Sequence, residues 1–397
     1  MKILSSLLLS FTLISPIFAE TATKTLVPNF PAITANSYIL QDFYSGKVLM
    51  AKNANERVEL ASLTKLMTAY IVFSRLRAGK INLTDKVKIS EKAWRMFGSR
   101  MYLEVNTFVQ LEQLLSGLII QSGNDASVAL AEFIAGSEEA FVMLMNEYAL
   151  RLGLSNTHYT NSTGLSAEQH YSTVNDIARI AQFIIRDFPH YYHRWYKELS
   201  FTYNNITQTN RNLLLRRNRN VAKRKVDCTE GIGDWIADGM KTGYTEKAGY
   251  CLVGSATCGE MRLISVVLGT KSEKIRAQES EKMFNYGFRF FETYPVYQAH
   301  KLIDTEIVWY GSTNQLQLGL EKSLYVTVGT GQYKQLKATL YVDKNIMAPA
   351  AAGKVYGTLK IHLGHKIVAE RPLIALNKVD KGPLWKRLID SFVLVFY

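Results

Sequence analysis

Cysteine is scarce in this chain of 397 residues, and its scarcity excludes one kind of architecture. The three cysteines, Cys228, Cys251 and Cys258, are too few for the disulfide framework of a small secreted fold. At least one of them must stay free or pair with another chain, and we assign them no chemistry. The seven histidines show no metal-ligand spacing, so we expect neither a metal nor another cofactor.

Acidic residues are also in short supply. The 34 Asp and Glu face 47 Lys and Arg, which gives a formal net charge of +13 and a pI near 9.4. This balance suits an anionic partner, whether phospholipid, nucleic acid or an acidic polymer, without choosing among them. An apolar fraction of 47 % with 20 % charged residues describes a globular protein, and the length predicts two domains.

The N-terminal apolar run, from Ile3 to Phe18, is too short to span a membrane comfortably. It follows an early lysine and ends before Ala19, so we predict that residues 1–19 are a secretory signal peptide. Ile17 stands where a small residue is usual, and an uncleaved anchor is the alternative. Because the signal implies export, nucleic acid is not expected as a partner.

After a short polar leader, the chain predicts strands followed by helices. Residues 37–60 alternate in the manner of two strands, with a hairpin turn at Ser45-Gly46-Lys47. Residues 59–73 follow as a helix, and the pattern stays mostly helical to about Arg186. Ser137, followed by two glutamates, is typical of a helix cap.

Past residue 230 strands return. Residues 238–257 and 261–270 predict two adjacent strands joined at Cys258-Gly259-Glu260, and residues 272–293 predict an amphipathic helix. Strands at both ends with helices between them would form one sheet covered by helices, which is an α+β arrangement. We assign this domain to residues 20–293.

The remaining chain predicts two smaller units. Residues 294–378 consist of short alternating runs separated by Gly, Asp and Asn, as in an all-β domain. Residues 379–397 contain apolar side chains at helical spacing beside Lys386 and Arg387, which favours an amphipathic helix on an anionic membrane, with contact through 384–397. The alternative is a helix docked on its own β-domain.

Lys65 is a conspicuous charge in the apolar segment ELASLTKLMTAYIVF. On a helix, residues three positions apart share a face, so Lys65 and Ser62 present an amine and a hydroxyl side by side. A lysine in a dry site has a lowered pKa, and its neutral amine can take the proton of a serine nucleophile. On its own the S-x-x-K spacing is common on exposed helices.

Two further triplets support a catalytic role for Ser62 and Lys65. Ser122-Gly123-Asn124 interrupts an apolar helical region and would direct a hydroxyl and an amide into a cleft. Lys241-Thr242-Gly243 opens a predicted strand with a cation, a hydroxyl and Gly243, whose missing side chain would let a substrate lie along the strand edge. S-x-x-K, S-x-N and K-T-G in this order are the motif set of penicillin-binding proteins and class A β-lactamases.

With these motifs the chain resembles the low-molecular-mass penicillin-binding proteins, which are serine-type D-alanyl-D-alanine carboxypeptidases of the peptidase S11 family. The matching segments are ASLTKLMTAY, SGNDAS, NSTGL, HYSTVNDIARIA, DGMKTGYTEKAGY and QESEKMFNYGFRFFE. The resemblance covers essentially the whole mature chain, including the β-domain and the amphipathic tail. It implies a penicillin-binding, β-lactamase-like domain of antiparallel sheet and helices.

The resemblance also implies catalytic roles. Ser62 would attack the carbonyl between two terminal D-alanines of a peptidoglycan pentapeptide stem, with Lys65 as the base for acylation. Ser122 and Lys241 would relay a proton to the departing D-alanine, while Asn124 holds the peptide amide. β-Lactam antibiotics would acylate the same serine and act as covalent inhibitors.

The resemblance further implies which residues bind the substrate. Thr242 and Arg276, with Arg211 as a weaker candidate, would bind the terminal carboxylate. Backbone N–H groups of Ser62 and Tyr244 would form the oxyanion hole. The position of Tyr244 is often histidine in close relatives, which puts its side-chain contacts in doubt.

A second departure is the basic segment RRNRNVAKRK, residues 216–225, where close relatives have a much shorter connection. A solvated loop is the simpler interpretation, and a contact with anionic lipid or cell-wall polymer is the sharper hypothesis. The resemblance places the exported protein at the periplasmic face of the bacterial inner membrane. It leaves open the oligomeric state, with a dimer as one option, and the balance of carboxypeptidase, endopeptidase and transpeptidase activity.

Two alternative functions follow from the same motifs. A class A-like β-lactamase needs a glutamate that activates water some way past the S-x-N triplet. Glu168 is present, but in HYTNSTGLSAEQH its sequence context differs from the E-x-x-L-N pattern of that class. A catalytically weak cell-wall scaffold is the other alternative, although every expected catalytic side chain remains.

Overall fold

The computed structural model describes residues 27–216 and 235–394. The predicted signal peptide, residues 217–225 of the basic segment and Cys228 lie outside the described residues. Of the other two cysteines, Cys251 is a buried free thiol and Cys258 is disulfide-bonded.

The α-helices lie mainly in the first domain, and a last one follows the second domain. They are α1 Lys65–Arg77, α2 Glu91–Trp94, α3 Leu111–Ser116, α4 Asn124–Ala135, α5 Glu138–Arg151, α6 Val174–Asp187, α7 Pro189–Trp195, α8 Glu273–Phe290 and α9 Leu384–Leu394. The predicted cap is confirmed, because the Ser137 hydroxyl accepts a hydrogen bond from the backbone N–H of Ala140 at the start of α5.

The strands fall into a first set before α8 and a second set after it. The first set is β1 Ser37–Asp42, β2 Val48–Lys52, β3 Lys86–Lys88, β4 Phe108–Gln110, β5 Ser200–Tyr203, β6 Ile206–Thr209, β7 Ile236–Thr245, β8 Gly249–Cys258 and β9 Met261–Thr270. The second set is β10 Phe291–Tyr297, β11 Asp304–Trp309, β12 Gln315–Gly319, β13 Leu324–Gly329, β14 Leu336–Val342, β15 Ile346–Met347, β16 Val355–Leu363 and β17 Lys366–Ala375.

The first domain is organised around an antiparallel five-stranded sheet with the order β2-β1-β9-β8-β7. The prediction of one strand over 238–257 was wrong, because the chain reverses after Thr245 and forms two strands, β7 and β8. Gly249 has a φ of +66°, a conformation that glycine adopts without steric cost, and this allows the reversal. The reversal also leaves β7 at the edge of the sheet.

Both faces of this sheet are covered. Successive side chains of a strand point to opposite faces, and here both faces carry apolar residues. Leu40, Leu252 and Leu263 pack on one face with residues of α8. Ile39 and Val253 point to the opposite face and pack with residues of α1 and α6. The predicted α+β class is therefore confirmed.

The second domain is all-β, as the sequence predicts. Its six-stranded sheet has the order β14-β16-β17-β12-β11-β15, and β10 pairs with β13 in a separate two-stranded sheet. The short strands β12 and β15 were not among the predicted runs. The predicted boundary at residue 293 falls within β10, which begins directly after α8.

Polar contacts join the two domains around the predicted hairpin turn. The buried carboxylate of Asp42 accepts hydrogen bonds from Ser45 Oγ at 2.8 Å and from Thr293 Oγ1 at 2.7 Å. Lys47 Nζ donates to the Thr327 carbonyl at 2.8 Å. Because buried polar groups are costly when unpaired, these contacts hold the β-domain on the end of the first sheet.

The C-terminal helix α9 contacts the β-domain through polar groups. Asp390 Oδ2 accepts from the backbone N–H of Tyr310 at 2.7 Å, and Lys386 Nζ donates to the Gly311 carbonyl at 2.6 Å. The apolar side chains of Leu388 and Phe392 are 65 % and 74 % exposed. Within residues 27–216 and 235–394, no helix has both the length and the apolar character that crossing a membrane requires.

Candidate active site

Ser62 lies in a short 3₁₀ turn, Ala61–Thr64, that leads directly into α1. Lys65 is the first residue of that helix and is 1 % exposed. Its Nζ lies 3.0 Å from Ser62 Oγ, 2.7 Å from Asn124 Oδ1 and 2.6 Å from the carbonyl oxygen of Thr163. The amine is thus surrounded by three oxygen atoms from three separate segments of the chain.

Ser122 and Lys241 form a second hydroxyl–amine pair in the same site. A π-helical segment, Gly117–Gln121, ends at Ser122, whose backbone is left-handed with a φ of 69°. Helix α4 then starts at Asn124. Lys241 Nζ donates to Ser122 Oγ at 2.7 Å and to the Thr242 carbonyl at 2.9 Å. The predicted break therefore brings Ser122 and Asn124 into one cleft.

Burial and repulsion between cations govern the charges of the two lysines. Burial lowers the pKa of Lys65 to about 7, with the positive charge of Arg211 adding to the decrease, and the carboxylate of Asp125 opposes it. Burial also places the pKa of Lys241 well below its usual value, and Lys65 and Arg211 lower it further. A neutral amine near pH 7 is thus available next to Ser62.

The cleft has a volume of about 200 Å³ and is lined by eight of the ten predicted site residues: Ser62, Ser122, Asn124, Arg211, Thr242, Gly243, Tyr244 and Arg276. The other two, Lys65 and Lys241, contact its serines. Arg276 is only 2 % exposed. Its guanidinium donates to the carbonyl of Gly243 at 3.2 Å and to that of Arg211 at 3.5 Å. The structure therefore brings every predicted site residue together.

Two glycines allow the surrounding segments to close on the serine turn. At Gly164, with a φ of +84°, an added Cβ would lie 1.8 Å from the carbonyl oxygen of Ala61. At Gly243, an added Cβ would lie 3.3 Å from the backbone nitrogen of Ser62. The loop before Leu165 and strand β7 thus approach Ser62 with backbone atoms.

Asp125 is a site residue that sequence reasoning missed. Its buried carboxylate accepts hydrogen bonds from the backbone N–H groups of Met101, Tyr102, Leu103 and Ala126 at 2.9–3.2 Å. These bonds hold the loop that contributes Gly98 and Ser99 to the cleft wall. Its position within the SGNDAS motif, directly after Asn124, could have indicated that it belongs to the site.

His170 supports the serine turn and was also missed. Its Nδ1 accepts from the Thr160 backbone N–H at 3.1 Å, so its Nε2–H donates to Thr64 Oγ1, 2.8 Å away. Thr64 Oγ1 in turn donates to the Ala61 carbonyl at 2.9 Å. Burial lowers the pKa of His170 to about 4, so the ring is neutral and keeps this tautomer at neutral pH.

A serine hydroxyl beside a buried amine, with a second serine–lysine pair in the same cleft, defines an acyl-transfer site that uses a serine nucleophile. In the part of the chain that the structure describes, no group of three His, Cys, Asp or Glu residues is arranged to hold a metal ion. The class of protein is therefore a serine acyl-transfer enzyme on an α+β fold with an all-β domain attached.

Comparison with known proteins narrows this class. Residues 22–272 match the model of the D-alanyl-D-alanine carboxypeptidase family, peptidase S11, and residues 291–381 match that of the penicillin-binding protein 5 C-terminal domain. D-alanyl-D-alanine carboxypeptidase DacA of Escherichia coli K12 is 43 % identical over 381 residues, covering 94 % of this chain and 91 % of the relative. DacF of Bacillus subtilis is 36 % identical over 352 residues, covering 88 % and 86 %.

Solved structures agree with the family match. Penicillin-binding protein 5 from Haemophilus influenzae superposes with a TM-score of 0.82 at 42 % identity, covering 89 % of this chain and all of that one. Penicillin-binding protein 6B from Escherichia coli gives 0.69 at 33 % identity, covering 88 % and 97 %. The chain belongs to the D-alanyl-D-alanine carboxypeptidase family, and this confirms the resemblance, the fold class and the enzyme class drawn from the sequence.

Gly164 provides a test of how tightly the serine turn is enclosed. We expect Gly164→Ala to lower the free energy of unfolding by about 2–4 kcal/mol, since it combines a left-handed backbone with a clash against the Ala61 carbonyl. Gly136→Ala is the matched control, because Gly136 has the same φ of +84° and no atom within 4 Å of an added Cβ. Urea unfolding measures both; equal losses would contradict the close approach.

Proposed function

We propose that this carboxypeptidase removes the terminal D-alanine from peptidoglycan pentapeptide stems, with Ser62 as the nucleophile. The observation that carries the proposal is the 3.0 Å contact between Ser62 Oγ and a lysine amine that is almost fully buried. A neutral amine has two hydrogens and one lone pair. With Asn124 Oδ1 and the Thr163 carbonyl accepting the hydrogens, the lone pair is left for the Ser62 hydroxyl.

Acylation then proceeds as a transfer of one proton and one acyl group. Lys65 takes the hydroxyl proton as Ser62 Oγ attacks the carbonyl of the penultimate D-alanine. Backbone N–H groups of Ser62 and Tyr244 stabilise the oxyanion. Ser122, bonded to Lys241, passes a proton to the nitrogen of the leaving D-alanine. Water then hydrolyses the ester, restores Ser62 and releases the shortened stem.

The terminal carboxylate is bound by the cationic part of the cleft. Thr242 on β7 offers a hydroxyl. The buried guanidinium of Arg276, on α8, donates to the carbonyl of Gly243, the next residue of β7. Arg211 also lines this part of the cleft. This placement supports the expected roles of Thr242 and Arg276 and gives Arg211 a supporting one.

Slow release of penicillin distinguishes this proposal from a class A-like β-lactamase. Glu168, the glutamate considered for that role, is exposed and lines a separate hollow beside Tyr171. The carboxylate of Asp125 is occupied by backbone N–H donors. We therefore expect penicillin to acylate Ser62 and to leave it slowly.

The pKa of Lys65 provides a test of the base. Below its pKa of about 7 the amine is protonated and has no lone pair, so the rate of Ser62 acylation by benzylpenicillin falls about tenfold per pH unit. Stopped-flow acylation between pH 5 and 9 measures the profile, which rises to a plateau above pH 7. The exposed Lys80→Met variant keeps the same profile. A rate that keeps rising up to pH 9 without reaching a plateau would indicate an ordinary lysine and contradict the assignment.

The nucleophile has its own test. We expect benzylpenicillin to add its mass to the intact protein at Ser62, and no such adduct to form with Ser62→Ala, since no other hydroxyl contacts the Lys65 amine among the described residues. A peptide ending in D-Ala-D-Ala releases free D-alanine with the wild type only. Rapid multiple turnover of penicillin would favour the β-lactamase alternative, and absence of both adduct and D-alanine would favour the scaffold.

We also propose that the protein is exported and contacts the anionic inner membrane from the periplasmic side through α9. The exposed fractions of Leu384, Trp385, Leu388 and Phe392 are all above 60 %, while Asp390 points to the β-domain. An apolar face directed away from the protein suits the acyl boundary of a lipid surface. The predicted signal peptide, outside the described residues, supplies the export.

Membrane contact is tested with vesicles. We expect Leu388→Asp together with Phe392→Asp to weaken co-sedimentation with phosphatidylglycerol vesicles at least about tenfold, since two exposed apolar side chains are lost from the contact. D-alanine release from a soluble peptide stays unchanged. Leu302→Asp, at a residue 57 % exposed elsewhere on the β-domain, is the control. Equal binding of all three proteins would exclude α9 as the contact.

A further inference from the structure

A second hollow, of about 440 Å³, lies next to the catalytic cleft. Its walls come from residues 57–59, from residues 167–171, from Lys247 and Ala248 after β7, and from the end of β9. It is larger than the cleft, and the reaction described above does not use it.

A small group of polar side chains separates the two cavities. The carboxylate of Glu59 accepts from Ser166 Oγ at 2.8 Å and from Thr245 Oγ1 at 3.4 Å, and it pairs with Lys247 Nζ at 2.8 Å. Thr245 lines the cleft and Glu59 lines the hollow. The loop follows the same course, since Leu165 lines the cleft and Ala167 the hollow.

The direction of the bound stem points to the hollow. Strand β7 is an edge strand, so a peptide can lie extended along it. With the terminal carboxylate at Thr242 and Arg276, the acyl portion must continue past Tyr244 toward Thr245. An extended chain advances about 3.3 Å per residue, so a residue about two positions before the scissile bond reaches the hollow.

The hollow carries both signs of charge. Arg57 is held in place, since its Nε and Nη2 donate to Asn156 Oδ1 at 3.3 and 3.1 Å and its guanidinium lies 4.5 Å from the ring centre of Tyr171. Its Nη1 makes no hydrogen bond to the residues that the structure describes. Glu168 presents a carboxylate to the same hollow, and no salt bridge joins it to a described residue.

We propose that this hollow is a specificity subsite for a zwitterionic side chain of the stem, the end of a diamino acid that carries both an ammonium and a carboxylate group. The carboxylate binds the free Nη1 of Arg57, in a charge-assisted hydrogen bond, and the ammonium lies against Glu168. The proposal rests on the proposed function, because that function sets the direction of the peptide.

Two peptides that end in D-Ala-D-Ala and differ in one upstream side chain test the subsite. One side chain ends in an ammonium and a carboxylate, and the other is its N-acetyl, carboxamide derivative. For the wild type we expect kcat/KM for D-alanine release to be about tenfold higher with the zwitterionic peptide, the effect of one charge-assisted hydrogen bond at a partly exposed site.

Substitutions locate the effect. We expect Arg57→Gln and Glu168→Gln each to remove most of the tenfold preference and to leave kcat/KM for the neutral peptide unchanged. The matched control is Arg151→Gln, at an exposed arginine that pairs with Glu147 on α5. The proposal is overturned if the wild type shows no preference, or if Arg57→Gln lowers kcat/KM equally for both peptides.

Failure of the subsite and failure of the proposed function give different results. D-alanine released equally from both peptides refutes the subsite alone, whereas no D-alanine from either peptide refutes the function. In the second case the rate of Ser62 acylation by two penicillins, with zwitterionic and neutral side chains of equal length, tests the hollow directly. A preference lost in Arg57→Gln supports it, and equal acylation overturns it.

Discussion

Placing the amine of Lys65 where water does not reach is the constraint on which the rest of the site depends. An ammonium group in such a place loses its hydration, so its pKa falls to about 7 and the neutral form becomes available. Asn124 Oδ1 and the Thr163 carbonyl accept hydrogen bonds from the buried amine. These contacts fix helix α1, the start of α4 and the loop before Leu165 relative to one another, and the same packing places Ser62 beside the amine.

A further set of buried polar groups supports that arrangement. The carboxylate of Asp125 gathers backbone N–H groups from the loop along one side of the cleft, and neutral His170 reaches the Ala61 carbonyl through Thr64. Glu138 accepts from the backbone N–H of Ser162 at 3.0 Å, next to the residue whose carbonyl contacts Lys65. Each of these groups would cost free energy if its partners moved away, so the site resists distortion from several directions at once.

Much of this was accessible from the sequence, since residue type and order carry chemical information. The three motifs, the α+β class, the all-β domain and the cap at Ser137 followed from patterns that act locally. The prediction of one strand over 238–257 was wrong because the reversal depends on a short turn that ends at Gly249. The role of the Thr163 carbonyl was missed, because every residue has a carbonyl and none is marked by its side chain.

The sequence by itself determined which groups are available: a serine and a lysine one helical turn apart, a break that starts a helix at Asn124, and a strand with a lysine, a threonine and a glycine. Local spacing and alternation are enough for that. Only the tertiary structure decided that residues from these separate segments meet around one dry amine, and that the pKa of Lys65 falls to about 7. Burial and through-space distance set a pKa, and neither is a property of a segment read alone.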